Sequence, residues 1–139
     1  MNTVKSLITL HEGQRFKPYK CTAGKTTIGI GRNLDDVGIS PEESAFLFEN
    51  DLRRVEAELA RVFPWSKNLD PVRHAVLMDM LFNLGLRRLQ GFRKFLAAMS
   101  RRDWTKAAIE MEDSLWYRQV KTRAARLQQM VLTGAWPTR

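Results

Sequence analysis

All the β signal of this chain lies in one short stretch. Between Phe16 and Leu34, Pro18 bars a regular helix and Ala23-Gly24 marks a turn. The run Thr26-Thr27-Ile28-Gly29-Ile30-Gly31 is β-branched and glycine-rich. The stretch reads as an antiparallel hairpin or a small three-stranded sheet, left through Asp35-Asp36-Val37-Gly38. Everything around it reads as helix, so the fold class is α+β.

The helices are marked by period and by caps. Val4, Leu7, Ile8 and His11 recur at i, i+3, i+4 and i+7 over residues 3–12, and Gly13 stops that helix. Ser40-Pro41-Glu42-Glu43 opens a second one: Ser40 caps, Pro41 takes the first helical position and Glu43 closes a capping box. Its stripe of Phe48, Leu52, Val55, Leu59 and Val62 runs until Pro64, a helix roughly 30 Å long. Asp70-Pro71 caps a helix that is apolar through Val72, Ala75, Val76, Met80 and Phe82 and stops at Gly85. Gly91-Phe92 opens another through Met99, and Asp103 caps one carrying Trp104, Ala107, Ala108 and Met111. A short turn begins at Ser114 or Leu115, and Thr122 caps a last helix with Leu127, Met130 and Val131 on one face. The expected organisation is a single domain: a small lobe over about 14–40, an interlobe helix over about 41–63, and a helical lobe over about 64–139 that takes in helix 3–12. A cleft between such lobes is the natural place for a site.

Charge and cysteine use bound the function. Residues 1–85 carry 11 Lys+Arg and 11 Asp+Glu, whereas residues 86–139 carry 12 and 4, so the whole +8 sits in the last 54 residues. A basic half implies an anionic partner, whether nucleic acid, a membrane surface or an anionic wall polymer, and charge alone does not choose. The single cysteine cannot form an internal disulfide, which fits synthesis in a reducing cytoplasm. The opening residues do not have the build of a signal peptide, and no apolar run approaches the roughly 20 residues that span a bilayer.

Several chemistries can be weighed on residue types. His11, His74 and Cys21 lack metal-ligand spacing, so no metal and no cofactor is expected. Gly29 and Gly31 lack the third glycine of a dinucleotide loop, because position 34 is Leu; a strand glycine more often marks a bulge or a close backbone approach. Cys21 could be a nucleophile paired with His11 or His74, or simply a small core residue. Glu12 ends its helix, at the negative pole of the macrodipole. A carboxyl that keeps its proton there is what glycosidic cleavage needs, and a solvated helix-end glutamate is the plainer alternative.

Taken together, the residues resemble a known family. A glutamate, eight residues, an aspartate or cysteine, five residues and a threonine is the catalytic spacing of the lysozymes of T-even bacteriophages, the phage endolysins of glycoside hydrolase family 24. Glu12, Cys21 and Thr27 have that spacing, within the words His11-Glu12-Gly13, Pro18-Tyr19-Lys20-Cys21-Thr22 and Thr26 to Arg32. The resemblance continues through residues 39–52, through Asp70 to Gly85, and through Trp104, Trp116-Tyr117, Arg123, Arg126 and Gly134-Ala135-Trp136. It implies a lysozyme-like fold and hydrolysis of the β-1,4 bond between N-acetylmuramic acid and N-acetylglucosamine in peptidoglycan. By the same resemblance Glu12 is the general acid, and Cys21 faces the anomeric carbon. Thr27 positions water or assists Cys21, Gly31 and Phe82 line the sugar groove, and Arg123 pairs with the glutamate. Arg32 stands where many members carry histidine, and Phe95 and Glu110 stand where small or amide groove residues are usual. The family further implies a monomer that waits in the host cytoplasm until lysis, then reaches the cell wall or periplasm through a hole made by a separate holin.

Two rival readings rest on the basic half. It could be a helical nucleic-acid-binding module, although it carries no recognised motif of that kind. The last helix could act on membranes, since Arg123 and Arg126 lie beside Leu127, Met130 and Val131. Packing of that apolar face into the helical lobe is the plainer expectation, with neither nucleic acid nor stable membrane insertion.

Overall fold

In a computed structural model, residues 3–138 are described. The order is α1 (Val4–Glu12), β1 (Arg15–Lys20), β2 (Thr26–Gly29), β3 (Arg32–Asn33), α2 (Pro41–Val62), a 3-10 turn (Pro64–Asn68), α3 (Pro71–Leu84), α4 (Leu86–Gln90), α5 (Arg93–Ser100), α6 (Trp104–Glu112), α7 (Leu115–Gln119) and α8 (Lys121–Thr133). The fold is mainly helical with one small antiparallel sheet, the α+β class expected. It divides into two compact units, Met1–Phe48 and Glu49–Arg139. The first holds α1 as well as the sheet, whereas the sequence reading had grouped that helix with the helical lobe.

Within the first unit the sheet runs in the order β1-β2-β3. Tyr19 pairs with Thr27 and Lys20 with Thr26, and the register slips between Arg15 and Tyr19. Pro18 lies inside that slip; it has no N–H to give to a ladder. The Thr26 N–H goes to the Asp35 carboxylate at 2.8 Å, and this bond holds Asp35 below the usual carboxylate range. Lys20 Nζ donates to Thr26 Oγ1 at 2.6 Å. These bonds fix the start of β2, one residue before Thr27. Of α1, no residue is buried; the stripe of Val4, Leu7 and Ile8 is exposed, as is His11.

The second unit is built around α3. Val76, Leu77 and Met80 are fully buried and six of its residues are buried in all. A helix apolar on nearly every side belongs inside a bundle. Phe95, Leu89, Met99, Met111 and Val131 complete that core. Phe92 meets Trp116 and Phe95 edge-on at ring-centre distances of 5.8 and 6.3 Å, and the Trp116 indole donates to Asn83 at 3.2 Å. On α8, Leu127, Met130 and Val131 are buried, so the face invoked for membrane contact is occupied by the protein's own core.

The caps follow local chemistry. Asp70, Asp103 and Ser114 each accept the backbone N–H three residues on. Ser40 and Glu43 form the reciprocal box expected of them, at 3.1 and 2.8 Å. Thr122 is a correction: α8 starts two residues earlier than a Thr122 cap requires, with Val120 at the cap position and no side-chain bond. Chain geometry set by Val120 begins the helix, and Thr122 lies in its first turn. The 3-10 turn and α4 were not anticipated; both are one-turn pieces, too short for a periodic signal.

Candidate active site

Cys21 leaves β1 and enters a tight loop. Its N–H donates to the Lys25 carbonyl at 3.0 Å, and its own carbonyl accepts from Gly24 at 2.8 Å. Gly24 has φ +78°, so the connection is a three-residue hairpin loop closed by a left-handed glycine. Cys21 therefore holds the first position of a turn, where Asp, Asn and Ser are favoured because the side chain can accept the N–H two residues on. The sulfur takes that role. The N–H groups of Lys25 and Ala23, together with the Thr27 hydroxyl, hold the Cys21 thiol below its ordinary pKa, against a smaller opposing effect of burial.

Thr27 lies at the middle of the sheet, opposite both Tyr19 and Asn33. It is 3 % exposed, one of two buried polar residues among those described. Its hydroxyl donates to the Lys25 carbonyl at 2.9 Å and also reaches the Cys21 sulfur. A hydroxyl has one proton and two lone pairs. Such a group can accept from a thiol or donate to a thiolate, and donation to the ionised sulfur is the direction that lowers the Cys21 pKa.

Glu12 closes α1 and is exposed. Its carboxyl lies against Gly31, in the turn between β2 and β3. A Cβ on Gly31 would stand 2.8 Å from both Cδ and Oε2 of Glu12, and Gly31 has φ +70°. Glycine is needed there twice, for its backbone angle and for the space. The expectation of a close backbone approach in the strand glycines is met at this position.

The next residue was read only as a departure from a pattern. Arg32 makes two bonds to Glu43, at 2.8 and 2.6 Å, and a third to the Gly38 carbonyl at 3.0 Å. The pair holds the Glu43 carboxyl down at about 2, with the Ser40 N–H as the second cause. A sequence signal for it existed in the acid at the third helical position, but it pointed to the cap alone.

In the second unit, Phe82 on α3 is 46 % exposed. Arg123, on α8, donates from Nε to Asp79 Oδ1 at 2.8 Å, and Nη2 lies 2.8 Å from the same oxygen. Asp79 and Phe82 are three apart on α3, hence on one side of it. Asp79 was missed; an acid interrupting an apolar stripe was the available clue. Phe95 is buried and belongs to the core, and Glu110 pairs with Lys106 at 3.0 Å. No group of three or more His, Cys, Asp or Glu among the described residues could hold a metal.

The family model described as phage lysozyme matches residues 9–131. The chain is 28 % identical to a probable T4-type lysozyme of Dictyostelium discoideum, covering 96 % of each chain. It is 34 % identical to an endolysin of Acyrthosiphon pisum secondary endosymbiont phage 1, over 58 % of this chain and 56 % of that one. It is 31 % identical to the pre-baseplate central spike protein Gp5 of Enterobacteria phage T4, over 95 % of this chain but only 28 % of the spike protein.

Proposed function

The chain belongs to the phage lysozyme family of peptidoglycan-hydrolysing glycosidases, and on that premise we propose that Glu12, Cys21 and Thr27 carry the cleavage of the β-1,4 bond between N-acetylmuramic acid and N-acetylglucosamine. The observation that carries the assignment is the Glu12 carboxyl resting on the Gly31 backbone, in the same unit as the Cys21–Thr27 pair.

Glu12 gives its proton to the leaving glycosidic oxygen. Positive charge then develops at the anomeric carbon. Cys21, as thiolate, takes a proton from the attacking water, and the Thr27 hydroxyl orients that water and stabilises the sulfur in either state. A free thiol is only a few per cent thiolate at neutral pH (pKa about 8.5). The amides of Ala23 and Lys25 raise that fraction. A carboxylate would do the same work at this turn position, which accounts for a family that uses aspartate or cysteine here. Phe82 offers an apolar face to a sugar ring, and Arg123, held by Asp79, offers a fixed cation. Both are proposed as substrate contacts of the second unit.

The remainder of the proposal concerns access. Supported by the endolysin among its relatives, the protein is a monomer that stays in the host cytoplasm until a separate hole-forming protein admits it to the wall. Product stereochemistry tests the chemistry. Water activated by Cys21 attacks from the face opposite the leaving group and gives the α-anomer from a β-linked muropeptide of defined length. A β-anomer would mean that sulfur bonds to the sugar and that the base role is wrong.

A further inference from the structure

We propose that Arg32 is a positioning residue for the acid Glu12, acting through Gly31 by pinning the β2–β3 turn to the first turn of α2. The inference rests on the reading of Glu12 as the proton donor.

The Glu12 carboxyl lies against the backbone of Gly31. Gly31 sits in a left-handed conformation between two short strands, and β3 is only Arg32–Asn33. Two residues of ladder are a weak anchor for a turn that must hold a reacting group to a fraction of an ångström. What fixes the turn is its next side chain. The Arg32 fork meets both oxygens of Glu43, a bidentate pair with more geometric definition than a point contact. Glu43 in turn is held by the Ser40 N–H at 2.8 Å, and its own N–H by Ser40 Oγ at 3.1 Å. The same guanidinium takes the Gly38 carbonyl and so closes the loop leading into α2. A chain of direct contacts therefore runs from the helix start through Glu43 and Arg32 to Gly31 and the acid. All of it lies within the first unit. Arg32 and Glu43 are themselves assigned no contact with sugar, so loss of their pair should alter turnover and leave saccharide affinity alone.

The experiment measures kcat and KM on a defined muropeptide oligomer for Arg32→Met, Glu43→Gln and the double variant, together with thermal midpoints. Glu43→Gln is the safeguard should Arg32→Met fail to fold, because glutamine can still accept the Ser40 N–H and Arg32 keeps the Gly38 carbonyl. Misplacing a reacting group by about 1 Å costs up to roughly a hundredfold. Arg32→Met should lower kcat about tenfold or more at a temperature where the variant is folded, with KM unchanged. Glu43→Gln should shift kcat in the same direction by less, and the double variant should be no worse than Arg32→Met alone, as expected of one coupled device. Arg32→Lys, which restores a single charged contact, should recover part of the loss. A lowered thermal midpoint with kcat intact would overturn the proposal, as would a change confined to KM or kcat losses that multiply in the double variant. Glu12→Gln, run alongside, separates this result from the underlying reading: if that variant turns over normally, the acid assignment has failed whatever Arg32 does.

Discussion

At the scale of the residue, two atoms are held in unusual ways, the Cys21 sulfur and the Glu12 carboxyl. The sulfur is an acid whose ionised form is favoured by the folded loop. The fraction of thiolate at neutral pH must therefore be larger folded than unfolded. Alkylation by iodoacetamide, followed against pH, should show a lower midpoint in the native protein than in the same protein in denaturant, and Thr27→Val should raise the native midpoint. Equal midpoints in the two states would show that the loop does nothing for the thiol. Gly31→Ala tests the carboxyl. Its left-handed backbone costs an alanine about 1–2 kcal/mol, and the new methyl meets a flexible side chain that can swing away. The expected result is a modest fall in thermal stability with a much larger fall in wall lysis, because the carboxyl is the group displaced. Normal lysis by a destabilised Gly31→Ala protein would separate that contact from catalysis. The family resemblance marks the glutamate, cysteine and threonine as candidates, whereas their residue types alone leave a solvated helix-end acid and a small core thiol open. The reason a cysteine works there was not legible, since it depends on which amide hydrogens a loop turns toward one sulfur.

At the scale of the element, the sequence was most informative where the chemistry is local. A cap is satisfied within three residues, and Ser40, Asp70 and Asp103 behave as their spacing said. Thr122 misled because a good capping side chain was placed one turn position inside a helix that starts without one. Glu43 shows a different limit. Its cap role was readable, but its second partner lies on a strand eleven residues back and is set by tertiary structure. That tie between β3 and α2 has a pH signature. The Glu43 carboxyl is lowered from an ordinary 4.5 to about 2 when folded. A depressed acid contributes stability that is fully present above its unfolded value and is lost as pH falls through its folded value. Thermal midpoints of the wild type should therefore fall between about pH 4.5 and 2 more steeply than those of Glu43→Gln. Parallel curves for the two proteins would mean that the ion pair adds nothing to the fold.

On the scale of the whole molecule, one stretch of about twenty residues sets the class and the helices do the rest. The core of the second unit was readable because α3 is apolar over most of its length and α5, α6 and α8 each carry a buried face. The uneven charge, with all of the +8 in the last 54 residues, admitted a membrane reading of α8 that the packing disfavours: the apolar residues of α8 are spent on the core. The Asp79–Arg123 pair was not legible, because its partners stand 44 residues apart. Within the family assignment, Glu12 and Cys21 are the two groups proposed to act on the sugar. Cleavage rates of Glu12→Gln and Cys21→Asp on purified peptidoglycan test that claim most directly. Loss of the acid should cost about a hundredfold to ten-thousandfold, whereas aspartate at position 21 should keep substantial activity. A Glu12→Gln protein that cleaves at the wild-type rate, or a folded Cys21→Asp protein as inactive as Glu12→Gln, would contradict the account.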